Sequence, residues 1–307
     1  MRKSFAHRQG IKGYTQDAVR AYAENMVKGA YQLARLSHVD DLSELMQSMK
    51  EDAHKGDNQK ARLYNEMMAR HEWVMNPTHS SWAHKLTTLG FVYMLGASPA
   101  AAAINMLQLP TVAVPVLGAR FGFARTAKEM MKAALRFNAV TGRINPAHLT
   151  EGEKLAMQEW IDSGVLDQTR AHDLAGLAEG GSYKYSAGTE KAMRAVSLLF
   201  HRAEQFNRDV TALAAYRMAI ADGMPHGQAV SVAERLTWDS HFDYSNANRA
   251  RFMQKDWQKV AFQFKNYSQH VTYYLARNLH QMMKGATPKD RRIAFKQLAG
   301  TLGMTAL

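Results

Sequence analysis

The 307-residue chain contains no cysteine. That absence excludes a disulfide framework, a cysteine-ligated zinc or iron–sulfur centre and a cysteine nucleophile. Seven prolines and 20 glycines are too few for a low-complexity chain, and an apolar share of 46% is globular. There is no Walker-type phosphate loop, no strand-linked GxGxxG and no HExxH helix, so the commonest nucleotide-binding and zinc-hydrolase signatures are missing. Residues 1–19 have no apolar core of the signal-peptide type, which argues against secretion by that route. A length of 307 residues suffices for one large domain or two ordinary ones.

Charge is unevenly placed. The formal net charge is +12, which favours phosphate-rich or anionic partners. Residues 249–307 hold 11 basic side chains and only Asp256 and Asp290 as acids, so +9 of the +12 lies in the last 59 residues. Such asymmetry points to nucleic acid or membrane. The opposite anomaly runs from Leu86 to Ala119, 34 residues without a charge. One membrane-spanning helix needs about 20 apolar residues. Pro99, Pro110 and Pro115 interrupt this run, and Asn105 and Gln108 sit inside it. We therefore expect two or three short apolar helices, about 82–96, about 99–109 and one beginning near Pro115. They form either a buried helical hairpin or a segment that enters lipid. Its candidate membrane-facing residues are Leu89, Phe91, Val92, Leu95, Ile104, Leu107, Leu109, Val112 and Val114.

Apolar residues recur at helical spacing almost throughout, and no stretch alternates with period two, which predicts an all-α fold. The expected form is an elongated bundle of amphipathic helices around a central apolar hairpin. Expected helices cover about 17–36, 41–53 and 58–75, then a region after Arg120 to about Asn138. Short helices follow at about 150–163 and 167–178, and long ones at about 189–222, 225–237 and 249–283. The Gly- and Ser-rich stretch Glu179–Gly188 is the best linker candidate. Three regions result: 1–78, 79–180 and a basic 181–307. In the last long helix Trp257, Val260, Phe264, Tyr267, Val271 and Tyr274 follow 3-4 spacing, a seam for another helix of this chain or of a second copy.

Two polar groupings invite a chemical reading. His201 and Glu204, three apart on a helix, can face one metal ion, but a hydrogen-bonded pair on a helix surface is the plainer expectation. Asp239, His241 and Asp243 within Thr237–Asn248 suggest acid–base chemistry, against the plainer reading of a structured connection between helices. Neither reading is completed by further ligands or a nucleophile, so no catalytic residue, metal or cofactor is expected. The basic C-terminal region is the better candidate. Phe252, Trp257, Phe262, Phe264, Tyr267, Tyr273, Tyr274 and Phe295 interleave with its cations, a composition suited to bases and phosphates or to a membrane interface, and equally to an ordinary core with a solvated face. Arg249, Arg251, Lys255, Lys259, Lys265, Arg277 and Lys284 are the candidate nucleic-acid contacts. After Lys296 the chain carries no charge. That tail reads as the opening of another apolar helix, in a fragment of a longer product or in a tail that inserts somewhere apolar.

Several stretches carry a family resemblance. Asn105–Pro110 followed by Pro115–Gly122, with Pro115, Leu117, Arg120, Phe121 and Gly122, resembles the region that names the PLxRFG proteins of tailed phages, Val116 standing between Pro115 and Leu117. His201–Arg208, Thr211–Arg217, Thr237–Tyr244 and Asn248–Gln254 extend the likeness, so that it spans roughly residues 75–307. The resemblance implies the C-terminal region of a large internal virion protein of a short-tailed phage. Such proteins are packaged in the capsid, released into the host periplasm and inner membrane, and help form the conduit for genome entry. It implies copies of itself, other ejection proteins, double-stranded DNA and the host inner membrane as partners, and no small-molecule substrate. A soluble, sequence-independent DNA-binding or capsid-core scaffold module is the alternative, and an enzyme built on the two polar groupings is a third.

Overall fold

The structure is a computed structural model and describes residues 18–54, 58–75, 81–91, 93–94, 98–166, 187–243, 250–254, 256–263 and 265–306. The fold is all-α. The chain divides into two units, Met1–Thr78 with His172–Tyr183, and His79–Ala171 with Lys184–Leu307.

The first unit contains α1 (Ala18–Ser37), α2 (Val39–His54) and α3 (Asn58–Met75). Asp40 and Asp41 sit in the first turn of α2, where carboxylates complement the positive end of the helix dipole. α2 and α3 pack together. On α1 the apolar side chains of Tyr22, Met26, Leu33 and Leu36 are all more than half exposed.

The second unit holds the core. In chain order it comprises α4 (Ser81–Phe91), α5 (Pro99–Met106), a π-helical segment (Leu109–Ala113), α6 (Val114–Phe121), α7 (Phe123–Ala134) and a two-residue hairpin of β1 (Phe137–Asn138) and β2 (Arg143–Ile144). α8 (Glu151–Asp162), α9 (Ala187–Ala221), α10 (His226–His241), α11 (Asp256–Ala261), α12 (Lys265–Lys284) and α13 (Pro288–Thr305) follow. α9 is the spine: it packs on α10, α7 and α5 and touches the hairpin. Ala212, Ala214, Ala215 and Ala219 are fully buried on it, as are Ala229 and Ala233 on α10, and these small side chains let the helices approach closely. Leu213, Val210, Leu117, Val116 and Trp160 fill the centre.

The hairpin was not expected. Two-residue strands are too short to display an alternation, but its turn chemistry is ordinary. Asn138 Oδ1 accepts from the backbone N–H of Val140 at 2.9 Å, and Gly142 takes φ +71.

Two expected elements differ. The helix read as 249–283 is instead a 3₁₀ turn (Arg251–Met253), α11 and α12. The uncharged tail is the end of α13, whose start is fixed by a capping box between Thr287 and Asp290. α13 then buries Ala294, Gln297 and Thr301 as it packs on α6 and α12. The segments Glu179–Ser186 and 167–178 lie outside the described residues.

Candidate functional site

From Pro99 onward the uncharged run folds into a near-continuous right-handed rod that ends at Arg120 and Phe121. Leu107, Gln108, Ala113 and Val114 all hold α-type dihedrals, so the run is not broken at Pro110. The π segment is what absorbs the prolines. Proline lacks the N–H that an α-helical ladder needs, and widening the ladder to five residues restores a bond, from the Val114 N–H to the Leu109 carbonyl. Thr111 adds a second donor on the Leu107 carbonyl, its Oγ1 lying 2.7 Å away.

The rod has two unlike halves. Its second half is core: Val112, Ala113, Val116 and Leu117 are at most 4% exposed, and Pro115 and Phe121 are buried. Leu109 and Val114 pack against that core. Its first half, α5, buries no residue, and Ile104 and Leu107 are 68% and 57% exposed. Leu89 on α4 is exposed as well. Nothing is described of the Phe91 side chain, and Val92 and Leu95 lie outside the described residues.

Polar side chains fasten the exposed half down. Asn105 Nδ2 donates to Glu204 Oε2 at 3.2 Å, and Asn207 Nδ2 donates to the Asn105 carbonyl at 2.8 Å. Gln108 Nε2 donates to the Ser240 carbonyl at 3.0 Å. The two residues that looked like interruptions of an apolar run are thus its ties to α9 and α10.

Behind them lies a buried polar hub. Glu204 pairs with Arg208 at 2.7 Å, both essentially without solvent contact. Arg208 also donates to the carbonyls of Val165, His241 and Phe242, at 3.1, 3.3 and 2.9 Å, and its guanidinium lies 5.0 Å from the Trp238 ring centre. Thr211 Oγ1 meets His241 Nε2 at 2.7 Å. Burial, then the Arg208 charge, push the His241 imidazole well below its ordinary value, so it is neutral at physiological pH.

This hub corrects both chemical readings. Glu204 is not on a helix surface, because α9 is buried on every side along its middle and the carboxylate is needed by Arg208. Asp239, His241 and Asp243 do not converge: Asp239 pairs with Arg277 at 3.0 Å, while His241 faces Thr211. Thr237 to His241 are the last turns of α10, and the connection begins only at Phe242, at φ +54. Among the described residues no group of three or more His, Asp or Glu is placed to hold a metal ion.

The motif residues lie along α6 and its turn into α7. Leu117 and Phe121 fill the core, and Gly122 at φ +95 turns α6 sharply into α7. Gly118 permits the corner: a Cβ there would stand 2.6 Å from the Phe123 ring. Arg120 is exposed, 5.6 Å over the Phe121 ring.

The candidate nucleic-acid contacts fall on three short pieces. Arg251 is exposed on the 3₁₀ turn, Lys259 is half-buried on α11, and Lys265, Arg277 and Lys284 lie on α12. Arg249 and Lys255 are outside the described residues. Arg277 and Lys284, seven residues apart, share a face of α12 that Lys265 does not. Arg277 is engaged by Asp239 and the Tyr274 ring. A denser cluster stands at the corner from α12 to α13, where Lys284, Lys289, Arg291 and Arg292 are all exposed, and only Lys284 of it is among those candidates. The acid among them, Asp290, is bound into the Thr287 cap, at 2.6 Å from Thr287 Oγ1.

The helix seam is partly spent inside the chain. Tyr274 is buried and Val271 packs on the core, while the Phe242 ring stacks on His270 at 5.5 Å and lies edge-on to Tyr267 at 6.2 Å. Trp257 is 59% exposed, Val260 half-buried, and Phe264 lies outside the described residues. Against known protein families, curated proteins and solved structures, the chain matches none.

Proposed function

We propose that this chain is a module of a phage internal virion protein that enters the host envelope after release from the capsid, assembles there, and contacts both lipid and duplex DNA without catalysis. The observation that supports it is the uneven rod. An apolar helical stretch of 23 residues, Pro99–Phe121, charged only at Arg120 near its end, is anchored in the core at one end, and at the other end is exposed and held by polar ties. Apolar side chains left in water favour transfer to lipid, at about 25 cal/mol per Å². A few hydrogen bonds of about 1 kcal/mol each oppose the release.

In this reading α4 and α5 form the lipid-facing part of the apolar hairpin, hinging at the π segment while α6 stays in place. The exposed cations at the α12–α13 corner meet DNA phosphates without reading sequence. Trp257 and the exposed part of the seam serve assembly with copies of the chain or with other ejection proteins. The alternative, a soluble DNA-binding or scaffold module, shares the cations but leaves α5 on α9.

Flotation with anionic vesicles, with and without duplex DNA, separates the two. The expected result is that the chain floats and carries DNA with it at low salt. Ile104→Lys with Leu107→Lys should abolish flotation while leaving the helical signal and DNA binding intact. DNA binding with no flotation at any pH would favour the soluble module.

A further inference from the structure

A cleft of about 430 Å³ opens between α7, the start of α8 and the end of α9, in the second unit but away from the rod's exposed half. A volume of this size lies within the usual range for small-ligand sites. Arg125, Lys132, Arg136 and Arg217 line it against two carboxylates, Glu129 and Glu153, so the lining carries a net charge of +2.

The carboxylates are already committed. Glu153 Oε1 accepts from Arg217 Nε at 2.6 Å, and Glu153 Oε2 accepts from the Thr150 N–H at 2.9 Å, within the cap of α8. Burial raises the Glu153 carboxyl, but those bonds and the charges of Arg217 and Arg136 outweigh it and hold the group below its ordinary value. Glu129 takes Lys132 at 2.6 Å.

The cations keep donors in hand. A guanidinium has five N–H donors in a planar fork. Arg217 gives Glu153 one nitrogen, and Arg136 gives the His148 carbonyl one, at 2.7 Å. Both forks border the same cleft and carry more donors than these bonds use, a match for the oxygens of a compact oxyanion.

We propose that this cleft binds a phosphate dianion, free or as the head of a small phosphomonoester, between Arg136 and Arg217, with Lys132 as a mobile third contact. Bound there, the anion would bridge α7 and the residues just after it to α9.

The test is calorimetric titration of the full chain with inorganic phosphate, glycerol phosphate and succinate at matched ionic strength, with thermal unfolding followed in parallel. Saturable phosphate binding and a melting temperature that rises with its concentration are expected. Lys132→Gln should weaken binding several-fold, and Lys132→Gln with Arg136→Gln by about tenfold or more. Arg62→Gln, exposed on α3 and not part of the cleft's lining, should leave it unchanged. Tighter binding of glycerol phosphate than of phosphate would identify the phosphomonoester as the ligand. Equal stabilisation by chloride, preference for succinate, or undiminished phosphate binding by folded Lys132→Gln would overturn the proposal.

Discussion

Arg208 is fully buried with Glu204, three backbone carbonyls and the Trp238 ring as its surroundings. Truncating one member of such a pair strands the other charge, at a cost of about 3–5 kcal/mol. Arg208→Met should therefore lower the midpoint of denaturant unfolding sharply. Adding Glu204→Gln should recover part of that loss, because the orphaned charge is gone, and two strictly additive losses would show that the pair is not coupled. His241 gives the hub a pH signature. Its folded-state value is depressed, so below about pH 6.5 the unfolded chain takes up a proton that the folded chain refuses, and stability falls as pH falls. Half-buried His270 is depressed too, mainly by burial and partly opposed by Asp243, and adds in the same direction. Chemical denaturation between pH 7.5 and 5 should show the decline, and His241→Asn should flatten it.

At the scale of elements, glycines separate packing from propensity. A Cβ on Gly118 would collide with Phe123, whereas one on Gly303, near the end of α13, would meet nothing within 4 Å. Gly118→Ala should destabilise by about 1–3 kcal/mol. Gly303→Ala should stabilise by up to about 1 kcal/mol. Thermal unfolding of the two variants checks both signs. Helices with clear stripes and caps were legible in the sequence: α1, α2 and α3 lie within two residues of their expected bounds, and α9 was read to within a few residues. The rod's continuity was not, because proline was read by its usual effect, and a π segment that absorbs it has no sequence signature. The break between α11 and α12 was missed for the converse reason, since 3-4 spacing persists across turns that no longer follow a helix.

On the scale of the whole molecule, polar residues were the hardest to read. Asn105, Glu204, Asn207 and Arg208 are scattered over 104 positions, and their juxtaposition depends on the middle of α9 being buried on all sides, where an amphipathic reading assigns one face to solvent. Residues 105–110, 201–208, 211–217 and 237–243 meet at this hub, where Asn105, Gln108, Glu204, Arg208, Thr211, Ser240 and His241 bond one another or each other's backbone. Their common role is to hold α5, α9 and α10 together. The central claim is that α5 leaves this hold for lipid while the rest of the second unit stays folded. A chain without cysteine permits a clean measurement, a single environment-sensitive fluorophore on Ile104→Cys, with Met131→Cys, at an exposed position of α7, as the control. On addition of anionic vesicles the account predicts a blue shift and a gain in intensity at position 104 and no change at 131. No shift at position 104, or equal shifts at both, would contradict it.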